Sequence, residues 1–260
     1  MKRLFIGIFA LTCLGTKVFS QEFELNLPLE IGIFSAGIAI NASAFIFEED
    51  YDKWDGTIYD KDEINAFDRP LAQDYNKVLD RCGDVSVVLT AITPALIVAT
   101  NRDKWLETGI MYLESAIFAN GVKELGKSLI ARKRPYMYFE DPEEDGVKSN
   151  DWKDSFPSGH STWAFNAASF TSYVFCKYNP DSSFKVPVVA GSFALAATTA
   201  AFRISSGNHF LTDTLAGAGI GCFSGFFIPW LHTFKFSHKN DPIISGINLG
   251  PQTVSFTYRF

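Results

Sequence analysis

The sequence predicts an all-α fold: a membrane-embedded bundle of about six helices, with short β segments at the mature N-terminus and at the C-terminus. Three observations predict it. Five uncharged runs, Ile31–Phe47, Val85–Asn101, Ser155–Cys176, Val186–Phe202 and Thr214–Phe234, have lengths near those a helix needs to cross a bilayer. A sixth helical stretch, Trp105 to Ala131, is interrupted by Glu107, Glu114 and Lys123, which gives it one polar edge turned to the bundle interior or an aqueous cavity. The chain is also 47% hydrophobic and holds 25 Phe. The run lengths are marginal and the mean hydropathy is only +0.06, so a compact soluble bundle is the alternative architecture.

Residues 1–20 read as a secretory signal. Lys2 and Arg3 form the charged start, Leu4 to Gly15 the short apolar core, and Val18 and Ser20 the small positions before Gln21. An uncleaved first membrane helix is the alternative. Residues 21–260 then form one domain, with its motif core at 85–232 and a β-like tail at 240–260. In the tail Val254, Phe256, Tyr258 and Phe260 alternate with polar residues, and Phe23, Leu25 and Leu27 alternate similarly at the other end. Two loops, Glu48–Asp84 and Pro135–Asp154, are rich in Asp, Glu and aromatic residues. Cys82, Cys176 and Cys222 have neither disulfide nor metal-ligand spacing and read as small core side chains. A net charge of −6 argues against a nucleic-acid partner, which needs a basic face.

Three short motifs carry chemistry. Lys127 is followed, six residues on, by Arg134-Pro135. The proline ends the helix, so these cations sit at a fixed helix-to-loop junction. Arg offers a planar fork that matches phosphate oxygens, and Lys adds a compact charge. The segment Ser155-Phe156-Pro157-Ser158-Gly159-His160 opens the next apolar run. A Ser-Gly turn feeding a helix presents free N–H groups and the positive end of the helix dipole, which together cradle an anion. Gly159 allows close approach, and His160 stands beside the bound group. In the third motif Arg203, His209 and Asp213 are spaced so that His209 and Asp213, four apart, share a face on a helical turn. A carboxylate there holds an imidazole in one tautomer, as the third group does for a nucleophile or base.

Each motif alone has a bland structural reading: a solvated helix end, an ordinary N-cap, a packed histidine. Helices alternating up and down, however, bring all three to one end of the bundle. Of the four His, two fall in these motifs, and His232 and His238 read as lying near the last helix end without partners.

The order Lys-x6-Arg-Pro, Pro-Ser-Gly-His, Arg-x5-His-x3-Asp resembles the three-part signature of the type 2 phosphatidic acid phosphatase and vanadium haloperoxidase superfamily. One position departs: Phe202 stands where the family usually has Ser. The resemblance implies a phosphatase in which His209 attacks phosphorus, Asp213 orients its ring, and His160 protonates the leaving oxygen and then activates water. Lys127, Arg134, Arg203, Ser158 and the Gly159 N–H would bind the phosphate oxygens. No cofactor is expected, and no carboxylate cluster for a metal is evident in the sequence. Apolar walls beside a cationic pocket suit a lipid phosphate or pyrophosphate among membrane lipids, in a bacterial cell envelope with the active site facing the periplasm. The rival readings are a soluble periplasmic acid phosphatase, a vanadate-dependent haloperoxidase, and a non-catalytic membrane protein with a relic anion site.

Overall fold

The computed structural model describes residues 23–47 and 54–234, together with the backbone of residues 246–250 and 253–257. The signal segment 1–20, His238, and the Tyr258 and Phe260 positions of the tail lie outside the described residues. The helices are α1 (Leu27–Ile46), α2 (Lys77–Ala91), α3 (Ala95–Thr100), α4 (Trp105–Leu129), α5 (Glu144–Lys148), α6 (Gly159–Tyr178), α7 (Lys185–Ser205) and α8 (Leu211–Leu231).

Local chemistry sets their boundaries. Pro28 occupies the first turn of α1, where its missing N–H costs nothing. The Asn76 side chain caps α2 by accepting from the Val78 and Leu79 amides at 3.1 Å each. The run expected at Val85–Asn101 divides at Pro94 into α2 and the short α3. Glu143 caps the single turn of α5, which makes its acidic surroundings a solvated loop.

At the tail, β1 (Gly246–Gly250) pairs antiparallel with β2 (Thr253–Thr257), Gly246 opposite Thr257. The alternation at Phe23–Leu27 does not become a strand. Asn26 is extended, but the Glu24 N–H donates to the His232 carbonyl at the end of α8 rather than to a neighbouring strand, and Leu27 already begins α1.

The six principal helices alternate in direction. Asn76 meets Ser206, and the α2 residue Asp80 meets Arg203, so α2 starts where α7 ends. The Asn179 side chain reaches Asn101 at the opposite end, 3.0 Å away. α1 runs alongside α4, with Asn41 donating to the Ile117 carbonyl at 3.0 Å and Asn120 donating to Asn41 at 2.7 Å. One end of the bundle therefore collects the end of α4, the start of α6, the end of α7 and the start of α8.

Buried polar side chains pair between the helices beside apolar clusters such as Ile97, Met111 and Phe170, while large apolar side chains also face outward. Ser86 bonds Thr199 at 2.8 Å, Thr93 bonds Thr171 at 2.9 Å, and Asn166 bonds Ser115 at 2.6 Å, all buried. On the outside, Ile38 is 61% exposed and Phe45 77%, and Val85, Ile92 and Leu215 also point outward. Small hydroxyl side chains between helices and large apolar ones facing out are the packing of helices in lipid. On α8, a side-chain atom at Gly217, Gly221 or Gly225 would lie 2.4 Å or less from a main-chain oxygen of α6 or its Ser158 cap. Only glycines allow the two helices to approach that closely.

Among the described residues four helices, α1, α2 with α3, α7 and α8, are long and apolar enough to span a membrane. α6 is the most buried of the six, and α4 buries Glu114 and Lys123, two of the charges noted in the sequence.

His232 is not partnerless. It is fully buried after α8, with Nε2 3.3 Å from Glu30 and 3.2 Å from Glu114. The sequence hid this because the three residues come from three helices.

Candidate active site

Backbone bonds stitch the three motifs together. Past α4, the Arg134 N–H donates to Trp152 O at 2.7 Å, and the Ser155 N–H donates to Arg132 O at 2.9 Å. Ser158, which caps α6, donates its own N–H to Asp213 O at 3.0 Å. The His209 N–H donates to Arg203 O at 3.1 Å across the turn between α7 and α8. That turn requires Gly207, whose φ of +72° is accessible to glycine and whose Cβ would lie 2.3 Å from the Asp74 carbonyl.

His209 is 2% exposed. Its Nδ1 lies 2.8 Å from the Ser155 carbonyl, an acceptor only, so Nδ1 carries the proton. Nε2 then presents its lone pair toward Arg134 Nη1, 3.3 Å away. Burial, followed by the Arg134, Arg203 and Lys127 charges, holds the His209 pKa well below the usual imidazole value. The ring is therefore neutral at neutral pH.

Asp213 is not bonded to the ring directly: its Oδ2 is 4.0 Å from Nδ1. The expectation of a shared helical face fails because His209 precedes α8 and has no place on its turns. Asp213 Oδ2 instead accepts from the Phe210 N–H at 2.8 Å and from Ser155 Oγ at 2.6 Å, while Oδ1 takes Arg132. Ser155 is thus the intermediary, its carbonyl on the imidazole and its hydroxyl on the carboxylate.

The cations are held by carboxylates. Arg134 donates Nε to Asp151 O at 2.8 Å, pairs through Nη2 with Asp151 Oδ2 at 2.6 Å, and donates Nη1 to Asn208 O at 3.1 Å. Lys127 Nζ lies 4.0 Å from the same Asp151. Burial pushes the Asp151 carboxyl up, but the Arg134 and Lys127 charges more than offset this and keep its pKa below the usual carboxylate value. Arg203 pairs with Asp80 and lies 3.8 Å from Asp84; its Nε is buried with no hydrogen-bond partner among the described residues. That leaves one oriented donor free for an anionic oxygen. His160, in the first turn of α6, places Nε2 2.8 Å from Asp84. Gly159 lies against the Lys123 side chain, whose Cδ would be 3.2 Å from an added Cβ.

All eight predicted residues thus gather at one end. The sequence reading missed Asp68, Asp80, Asp84, Arg132 as a structural partner, Asp151 and Ser155. Asp80 and Asp84 did leave a signal: two acids one turn apart at the head of an apolar helix. Asp68 left none. It is fully buried, accepts from Arg132 at 2.7 Å and from Thr212 Oγ1 at 2.6 Å, and lies in a loop far from both in sequence.

Beside the cations two cavities share Asn41 and Asn120. One, about 360 Å³, reaches Lys127 and Asp154. The other, about 470 Å³, is apolar and runs along Ile38, Ala91, Tyr112, Ile117 and Trp163.

A family model described as "PAP2 superfamily" matches residues 108–237, half of the chain. The chain belongs to the PAP2 superfamily. No curated protein matches it significantly. Among solved structures it is similar to a transmembrane PAP2-type phosphatidylglycerolphosphate phosphatase from Bacillus subtilis, at 21% identity and a TM-score of 0.47, over 92% of this chain and 96% of the other. In this PAP2 chain, Asp68, Asp80 and Asp84 lie before the matched region, yet each holds a residue within it.

Proposed function

We propose that this PAP2 protein is a phosphatase acting on lipid phosphate or pyrophosphate groups through a phosphohistidine at His209. The observation that carries the reading is the His209 ring, fixed by Ser155 so that a neutral Nε2 faces Arg134. In the first step Nε2 attacks phosphorus, the N–P bond forms and the bond to the leaving oxygen breaks. His160 gives that oxygen its proton, then takes one from water as the water oxygen attacks phosphorus and the N–P bond breaks. Asp213 acts on the ring through Ser155 and stabilises the charge that develops there. Lys127, Arg134, Arg203, Ser158 and the Gly159 N–H bind the phosphate oxygens, and their charge serves a reaction that depends mainly on positioning and electrostatics.

The apolar cavity, which shares Asn41 and Asn120 with the cavity that reaches Lys127, supports a substrate with a hydrocarbon tail. On this reading residues 21–260 form a single catalytic domain. The pocket end faces the periplasm, supported by the basic residues Arg102, Lys104, Lys177 and Lys185 around the short connections at the other end. A reporter fused in the 139–143 loop should read periplasmic, and one fused after Phe234 cytoplasmic; the reverse pattern overturns the orientation.

Acid-stable trapping is unsuited to phosphohistidine, so the intermediate is tested by rapid quench into base and mass spectrometry. A phosphoryl group should appear on the peptide containing His209 and vanish in His209→Ala. Full turnover by that variant refutes the mechanism. Phosphate release from phosphatidic acid or a polyprenyl pyrophosphate should exceed that from p-nitrophenyl phosphate; equal kcat/KM values would instead support the small-phosphomonoester reading.

A further inference from the structure

At the end of the bundle away from the phosphate pocket, three side chains of metal-ligand type converge from three helices. Glu30 lies in the first turn of α1, Glu114 midway along α4, and His232 directly after α8. One potential ligand atom from each lies within 4.8 Å of the other two. Glu114 is 1% exposed and His232 0%. Glu114 stands 13 residues before Lys127 on the same helix, a separation of about 20 Å along its axis.

The imidazole is set as a ligand. Its Nδ1 lies 2.9 Å from the Ile228 carbonyl, which fixes the proton there and turns Nε2 to the two carboxylates. A ligating histidine characteristically donates its other nitrogen to a carbonyl or carboxylate in this way. Nε2 is 3.3 Å from Glu30 Oε2 and 3.2 Å from Glu114 Oε2. These separations are long for an imidazolium–carboxylate bond, at about 2.7–2.9 Å. They match the edge between two ligands of a tetrahedral zinc ion, about 3.3–3.4 Å for bonds of about 2.0–2.1 Å.

The carboxylates point the same way. The buried Glu114 approaches His232 Nε2 at 3.2 Å, but neither of its oxygens makes a well-formed hydrogen bond among the described residues. Glu30 has its other oxygen, Oε1, anchored by the Asn26 N–H at 3.0 Å, which leaves Oε2 for the cluster. Two ionised carboxylates beside a neutral imidazole balance a dication.

We propose that Glu30, Glu114 and His232 bind a divalent transition-metal ion of the zinc class, which clamps α1 and α8 to α4. The site takes no part in phosphoryl transfer. It is a structural clasp with donors suited to a borderline ion.

The test uses the full, tag-free chain purified in detergent, stripped with chelator and titrated with Zn²⁺. The wild type should take up one equivalent and gain thermal stability. Glu114→Gln and His232→Gln should each bind at least tenfold more weakly. His209→Ala should bind as the wild type does, which separates this site from the phosphatase reading. X-ray absorption on the zinc-loaded wild type should show one imidazole nitrogen, the remaining ligands being oxygen; this measurement decides the question even where a variant fails to fold. Absence of zinc uptake by the folded wild type, unchanged binding by both Gln variants, or a shell without imidazole overturns the proposal.

Discussion

Two histidines are buried at opposite ends of this bundle in nearly the same way. His209 fixes Nδ1 on the Ser155 carbonyl at 2.8 Å, and His232 fixes Nδ1 on the Ile228 carbonyl at 2.9 Å. What differs is the group facing Nε2. At His209 it is Arg134, with Arg203 and Lys127 nearby; at His232 it is Glu30 and Glu114. The carbonyl only sets the tautomer. The charge opposite the lone pair decides whether the ring is suited to an anion's phosphorus or to a cation.

The most severe way to break this comparison is His209→Ala, which should reduce phosphate release on the order of 10³-fold or more while leaving zinc uptake unchanged. Arg134→Lys keeps the charge but loses the fork that joins Asp151, Asn208 and His209. It should lower kcat on the order of 10²-fold, measured by steady-state phosphate release.

Asp213→Asn tests stability as well as rate. It weakens a buried partner of Arg132, Ser155 and the Phe210 N–H, at a cost of about 3 kcal/mol, visible as a lower Tm in detergent. A pH profile sharpens the comparison further. The proposed nucleophile must be neutral, and its pKa is depressed, so kcat/KM should show no acid limb from its protonation as pH falls through about 6.5. An acid limb at the ordinary imidazole value would contradict the proposed environment. The smallest effect belongs to Gly83→Ala, whose Cβ would sit 3.1 Å from Arg203 Cδ. A slight shift of that guanidinium should raise KM a few-fold with kcat nearly unchanged.

The sequence displayed the helices and the catalytic motifs because both are local patterns. Each apolar run corresponds to a helix, apart from the break at Pro94. Lipid embedding was harder to read, since the Ser, Thr and Asn buried between the helices lower the mean hydropathy. The His209–Asp213 spacing misled for a definite reason: a four-residue interval implies a common face only when both residues are helical, and α8 begins at Leu211. The remaining partners lie beyond any local pattern. Asp68 meets Thr212 across 144 residues, and Glu30 meets His232 across 202. Such pairs exist only once the helices have assembled.

The bonds that Asp213 makes to Arg132 and Ser155 also set an order of events during synthesis. Asp68 and Arg132 leave the ribosome early and can pair, but Asp213 follows Arg132 by 81 residues. At roughly 5–20 residues per second, that gap lasts about 4–16 s. Until the head of α8 emerges, Ser155 has no carboxylate for its hydroxyl and the amide of Ser158 has no carbonyl to bond. The pocket is therefore closed by the head of α8, and a nascent chain stalled before Leu211 would carry the phosphate cations and His209 without the Asp213 carboxylate that completes the site.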